Sequence, residues 1–122
     1  MSRQRLADYL DYMHRAASSI CHYTEPFSKD DFLKDERTQQ AVIMNLIIIG
    51  EASSKVMDMF PDFAEANAGI EWQKMRGMRN RIAHGYFDIN LDVVWDTVKL
   101  AIPDLIVKLE QNPIRLHRSL RR

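Results

Sequence analysis

Ala41-Val42-Ile43-Met44-Asn45-Leu46-Ile47-Ile48-Ile49 is apolar at every position except Asn45. The run is too short to cross a bilayer, which takes about 20 apolar residues. It lies inside a longer segment, residues 35–59, that no Gly-Pro cluster or strand-like alternation interrupts. A helix apolar on nearly all sides belongs at the centre of a bundle. The run therefore predicts a central helix over residues 35–59, covered on most sides and ended by Phe60-Pro61.

The rest of the chain reads as helices packed around that one. Leu6, Tyr9, Leu10, Met13, Ala17 and Ile20 recur at helical spacing over residues 3–23 and make one apolar stripe. Thr24-Glu25-Pro26 breaks this helix, because proline disfavours helical backbone in the residue before it. Ser28 caps a short turn, with Asp31 as an acidic complement at its start. Residues 61–70 are expected to be a mixed loop. Residues 71–84 form another helix, which Gly85 can stop. Asn90 caps the last helix, from Leu91 to about Glu110, and Pro103 inside it should remove a backbone hydrogen bond and bend it. The four Gly and four Pro are few, and no stretch supports a strand. The expectation is all-α, an up-and-down bundle of four long helices plus one short one.

Composition narrows the function. The 122 residues suit a single core. Seventeen basic residues balance seventeen acidic ones, so any contact with nucleic acid has to be local. Cys21, the single cysteine, excludes an internal disulfide, and His14, His22, His84 and His117 show no paired-ligand spacing. No metal and no cofactor are expected. With no signal-like or membrane-spanning segment, the chain reads as cytoplasmic, with no membrane partner. Trp72 and Trp95 read as core or interface anchors, and Asn45 as a core hydrogen-bonding residue.

The chemistry concentrates in Arg79-Asn80-Arg81-Ile82-Ala83-His84-Gly85-Tyr86. Arg79 offers a planar fork of donors to phosphate oxygens. His84 can give or take a proton near neutral pH. Tyr86 can donate a hydrogen bond or accept a modification. The bland alternative is a solvated helix end, since His and Gly are both common there. Arg79 and His84 are five residues apart, about 140° around a helix of about 100° per residue. They do not converge on one atom in a straight helix, whereas Asn80 and His84 share a face. Either Gly85 breaks the helix so that His84 and Tyr86 swing round, or a second copy of the helix supplies the missing groups. Metal-free cleavage of RNA needs a base, an acid and a cation at the phosphorane, which also favours two copies. Glu51 either orients Arg79 or His84, or forms a buried ion pair that sets helix packing.

The Arg-x4-His-x-Tyr spacing, with Arg37-Thr38-Gln39-Gln40-Ala41-Val42, Asn45-Leu46, Ile49-Gly50-Glu51-Ala52, Trp72, Gly77-Met78 and Val94-Trp95-Asp96, resembles HEPN-domain proteins of the HepT type. The likeness covers roughly residues 3–111 and divides the chain into a HEPN-like domain, residues 1–111, and a basic tail, residues 112–122. Arg115, Arg118, Arg121 and Arg122 stand in that tail. The resemblance implies a homodimer with a composite cleft. It also implies a toxin of a two-gene toxin–antitoxin module, a metal-independent endoribonuclease acting on RNA. Arg79 and His84 would be catalytic, with Asn80 and Glu51 in support. It further implies a minimal nucleotidyltransferase as antitoxin partner, which attaches AMP to Tyr86 and allows a higher hetero-oligomer. An alternative stays open: a non-catalytic nucleotide-binding chain, or the substrate subunit of a nucleotidyltransferase complex. An intact His84 favours the enzyme, because holding phosphate needs no titrating group.

Overall fold

The computed structural model describes residues 3–112. In chain order it consists of α1 (Arg3–Thr24), α2 (Lys29–Lys34), α3 (Glu36–Met59), α4 (Pro61–Ala66), α5 (Trp72–His84), a 3-10 turn (Tyr86–Asp88), α6 (Leu91–Asp96), a π-helical segment (Thr97–Ala101) and α7 (Ile102–Glu110). No strand occurs among the described residues, and the class is all-α. The arginines of the tail lie outside the described residues.

Local chemistry sets the helix ends. Ser28 Oγ accepts from Asp31 N at 3.1 Å while Asp31 Oδ2 accepts from Ser28 N at 3.2 Å, a reciprocal capping box opening α2. Asn90 Oδ1 accepts from the amides of Asp92 and Val93 and opens α6. Residues 61–66 are helical, where a loop was expected. Phe60 closes α3 and opens α4, with Pro61 at the first helical position. There the missing N–H costs nothing and φ is already set for a helix, so this proline starts a helix as well as following one.

At Pro103, where a lost hydrogen bond and a bend were expected, the structure shows a widened turn. The proline ring crowds the carbonyl of Lys99, and no N–H is available to bond it. The turn just upstream widens, so that Ile102 N donates to Thr97 O across five residues. The segments α6, Thr97–Ala101 and α7 thus run on as one rod.

The central position of α3 is as expected: α1 packs along one flank and α5 along the other, and α1 in turn carries α7. Leu10, Met13 and Ile20 of α1, Val42, Leu46, Ile49 and Val56 of α3, and Val94, Val98, Leu105 and Leu109 of the rod meet in the core. Trp72 and Trp95 are both buried. The Trp72 indole N–H donates to Ala64 O and Asn67 O, and the Trp95 ring lies 5.2 Å from that of buried Phe32. The coverage of α3 is narrower than expected. Met44 is 57% exposed and Ile48 38%, on the side away from the core. Asn45 Nδ2 donates to Ala41 O at 2.8 Å, within its own helix rather than across the core.

Candidate functional site

The motif helix α5 reaches its place through small residues of α3. Gly50, Ser53 and Ser54 recur at i, i+3 and i+4 and so lie on one face. A Cβ on Gly50 would run into the Arg79 Cβ and stand 2.7 Å from Met75 O. Only a residue without a side chain lets the two backbones approach this closely. Ser53 Oγ, fully buried, donates to Trp72 O at 2.7 Å and ties the start of α5 to α3. The Arg79 side chain leaves α5 at this closest approach.

The surroundings of Arg79 combine two arginines and one hydroxyl. Buried Ser54 accepts at Oγ from Arg76 Nε at 2.8 Å and from Arg79 Nη2 at 3.3 Å. Arg76 Nη2 also donates to Ser54 O at 3.2 Å and to Asp58 Oδ1 at 2.7 Å. Arg76 is thereby held by several bonds and Arg79 by one long one. Arg79 Nε is buried and has no hydrogen-bond partner among the described residues. Its neighbour Glu51 Oε1 lies 3.6 Å away, close enough for charge attraction and too far for a hydrogen bond. Glu51 is exposed, so the buried ion pair considered from the sequence is not formed; the carboxylate faces Arg79 from the solvent side.

His84 stands apart. It is the last residue of α5 and exposed, where the helix dipole favours a cation. Gly85 caps the helix at φ −130°, its N–H donating to Arg81 O at 2.9 Å, so it stops α5 without reversing its course. His84 therefore stays within the helix, about 140° round from Arg79 at about 100° per residue. Asn80 and His84 are exposed on one face, and neither side chain makes a hydrogen bond among the described residues. Tyr86 opens the 3-10 turn, 51% exposed, with its ring edge-on to Phe87 at 5.9 Å; Phe87 is 97% exposed. Within one chain, then, Arg79 is brought to Glu51, and His84 and Tyr86 are brought to neither.

A cavity lies on the other side of α5. It is a cleft of about 570 Å³ between α5 and the rod, floored by Leu46 and Ile49 and walled by Met75, Met78 and Leu105. Arg81 reaches it; Arg79, His84 and Tyr86 do not line it. The motif side chains Arg79, His84 and Tyr86 are therefore outside this cleft.

Ser54, Arg76 and Asp58 were not among the site residues expected from the sequence. The available signal was the step of small residues Gly50, Ser53 and Ser54 in an otherwise apolar helix, facing a second helix with arginines at i and i+3.

A family model described as "Ribonuclease HepT-like" matches residues 13–111. The chain is 40% identical over 104 residues to a protein of Thermococcus cleftensis named "Probable ribonuclease HepT", covering 85% of this chain and 92% of that one. It is 36% identical over 109 residues to a Methanocaldococcus jannaschii protein named "Putative RNase", covering 89% and 84%. No solved structure is significantly similar to it.

Proposed function

The chain belongs to the HepT-like ribonuclease family, and from that premise we propose that it is the toxin of a toxin–antitoxin pair, a metal-independent endoribonuclease whose site is completed by a second copy. The observation that carries the composite site is the divergence of Arg79 and His84. One is seated against α3, the other stands exposed at the end of α5. A two-fold dimer that faces the two motif helices together supplies two arginines and two histidines around one phosphate. Tyr12, Met44 and Ile48 on α1 and α3, with Phe87 beyond the motif, are exposed apolar side chains that such an interface would cover.

In this reading Arg79 binds the scissile phosphate and stabilises charge as the phosphorane forms. The Nε with no hydrogen bond and the single long bond at Nη2 suit a guanidinium whose partner is an anion. One His84 takes the proton of the 2′-hydroxyl as its oxygen attacks phosphorus. The other protonates the departing 5′-oxygen. Asn80, on the face of His84, orients the histidine or the phosphate, and Glu51 orients Arg79. A nucleotidyltransferase antitoxin transfers AMP to the Tyr86 hydroxyl, releasing pyrophosphate from ATP. The added phosphodiester pairs with a motif arginine and fills the cleft.

Cleavage of a labelled single-stranded RNA by the purified chain tests the enzyme. His84→Ala should abolish cleavage with an unchanged melting temperature, and EDTA should leave the native rate intact. Loss with EDTA and recovery with a divalent metal would end the metal-free reading. For the modification, mass spectrometry after co-expression with a minimal nucleotidyltransferase of the antitoxin type should place the adenylyl mass on the peptide containing Tyr86. Its appearance only on Tyr9, Tyr12 or Tyr23 would refute that assignment.

A further inference from the structure

We propose that Ser54 is a positioning residue for Arg79, and that Arg76 and Asp58 hold Ser54 in place for that task. The inference rests on the reading of Arg79 as the phosphate-binding group.

A serine hydroxyl has two acceptor lone pairs. At Ser54 both are directed to arginines, one to Arg76 Nε at 2.8 Å and one to Arg79 Nη2 at 3.3 Å. Two guanidinium groups of like charge do not share one neutral atom without help. The help comes from Asp58, 2.7 Å from Arg76 Nη2, and from the Ser54 carbonyl, 3.2 Å from the same nitrogen. Arg76 is thus a fixed strut with its charge partly offset, and it fixes the direction of the hydroxyl lone pairs. The second lone pair then meets Arg79. Ser54 is buried, so little water competes for its hydroxyl. Gly50 seats the base of the Arg79 side chain, and the Ser54 hydroxyl gives its tip one preferred direction. Such prior orientation lowers the cost of aligning the fork with a phosphate when the transition state forms.

The test uses the full chain and a quenched fluorescent RNA, with kcat and KM measured separately. Ser54→Ala should lower kcat by about tenfold, the order expected for one hydrogen bond to a charged group, with KM within about twofold. Ser54→Thr keeps the hydroxyl and should recover most of that loss. Asp58→Asn, at an exposed position, should lower kcat in the same direction by a smaller factor without changing the melting temperature. In an Arg79→Lys background, whose slower rate is the reference, Ser54→Ala should have almost no further effect, because the group it orients is gone. Equal losses for Ser54→Ala and Ser54→Thr, a full Ser54→Ala loss in the Arg79→Lys background, or a Ser54→Ala variant at the native rate would each overturn the proposal. If Arg79→Ala itself cleaves normally, the reading of the site falls and this inference with it. If Arg79→Ala is inactive while Ser54→Ala is native, only this inference falls.

Discussion

The two sides of α5 are built on opposite principles. Toward α3 there is no room for a methyl group at Gly50, and buried serine hydroxyls join the two helices. Toward the rod there is an open cleft, and Gly77 on that side has an Arg81 Nη1 at 3.4 Å as the nearest atom to an added Cβ. The rod takes its hold from α1 and α2 instead. The packed side places one motif residue, Arg79, with its neighbours assigned. The His84 side chain, at the exposed end of the helix, has no hydrogen bond or ion pair among the described residues. In the proposed reading, half of the chemistry is held against α3 and half is completed by a second copy.

The strongest way to break this comparison is to separate the halves. Arg79→Ala and His84→Ala chains should each be inactive, with losses on the order of a hundredfold or more. Co-expressed and purified as mixed dimers, they should regain part of the cleavage, above either parent and well below the native chain, because one intact Arg79 and one intact His84 then face each other across the interface while the second proton transfer falls to water. If the mixture stays as dead as its parents, a site shared across the interface that works with one His84 is ruled out.

Next comes the same substitution on the two sides. Gly50→Ala should destabilise the fold by about 1–3 kcal/mol through overpacking, lower the melting temperature, and reduce cleavage by displacing Arg79. Gly77→Ala meets ordinary van der Waals contact and should stabilise by about 0.5–1 kcal/mol, the helix-propensity gain over glycine. Thermal melts of the pair measure both, and effects of equal sign would show that α5 is seated alike on its two sides.

The smallest effect concerns the hold on the rod. Lys29 Nζ lies 3.0 Å from Asp92 Oδ1 and links α2 to α6. The hydrogen bond to Asp92, then its charge, raises the Lys29 ammonium above its ordinary value of 10.5. A raised folded value means that the contribution is complete below 10.5 and is lost as pH rises through the folded value. Lys29→Met should therefore melt slightly below the native chain at neutral pH and converge with it in strong alkali. The exposed position keeps the difference small. A gap that persists at high pH would assign it to packing rather than charge.

Much of the helical layout could be read from the residues alone. Periodic apolar positions mark α1 and α3, Ser28 and Asn90 mark two starts, and Gly85 marks one end. These signals are local, acting over a turn or two. Helix α4 was missed because Pro61 serves as a stop for one helix and a start for the next, and only the angle between them tells which. The apolar run at Ala41–Ile49 indicated a central helix correctly. It did not reveal that Met44 and Ile48 face outward, because periodicity cannot distinguish a covered face from one that has no neighbour within its own chain.

The candidate site divides the same way. The motif spacing named Arg79, Asn80, His84 and Tyr86, and helix geometry alone said that Arg79 and His84 diverge. What surrounds Arg79 was decided in three dimensions. Ser54 and Asp58 stand more than twenty residues from Arg79 in the chain and meet it, or its strut Arg76, only because α3 and α5 touch at Gly50. Sequence by itself determined which side chains are available and which way each leaves its helix, since backbone periodicity is a local property. Tertiary structure decided which of them share a hydroxyl, which face a cleft and which stand exposed, since those relations depend on how closely two helices approach.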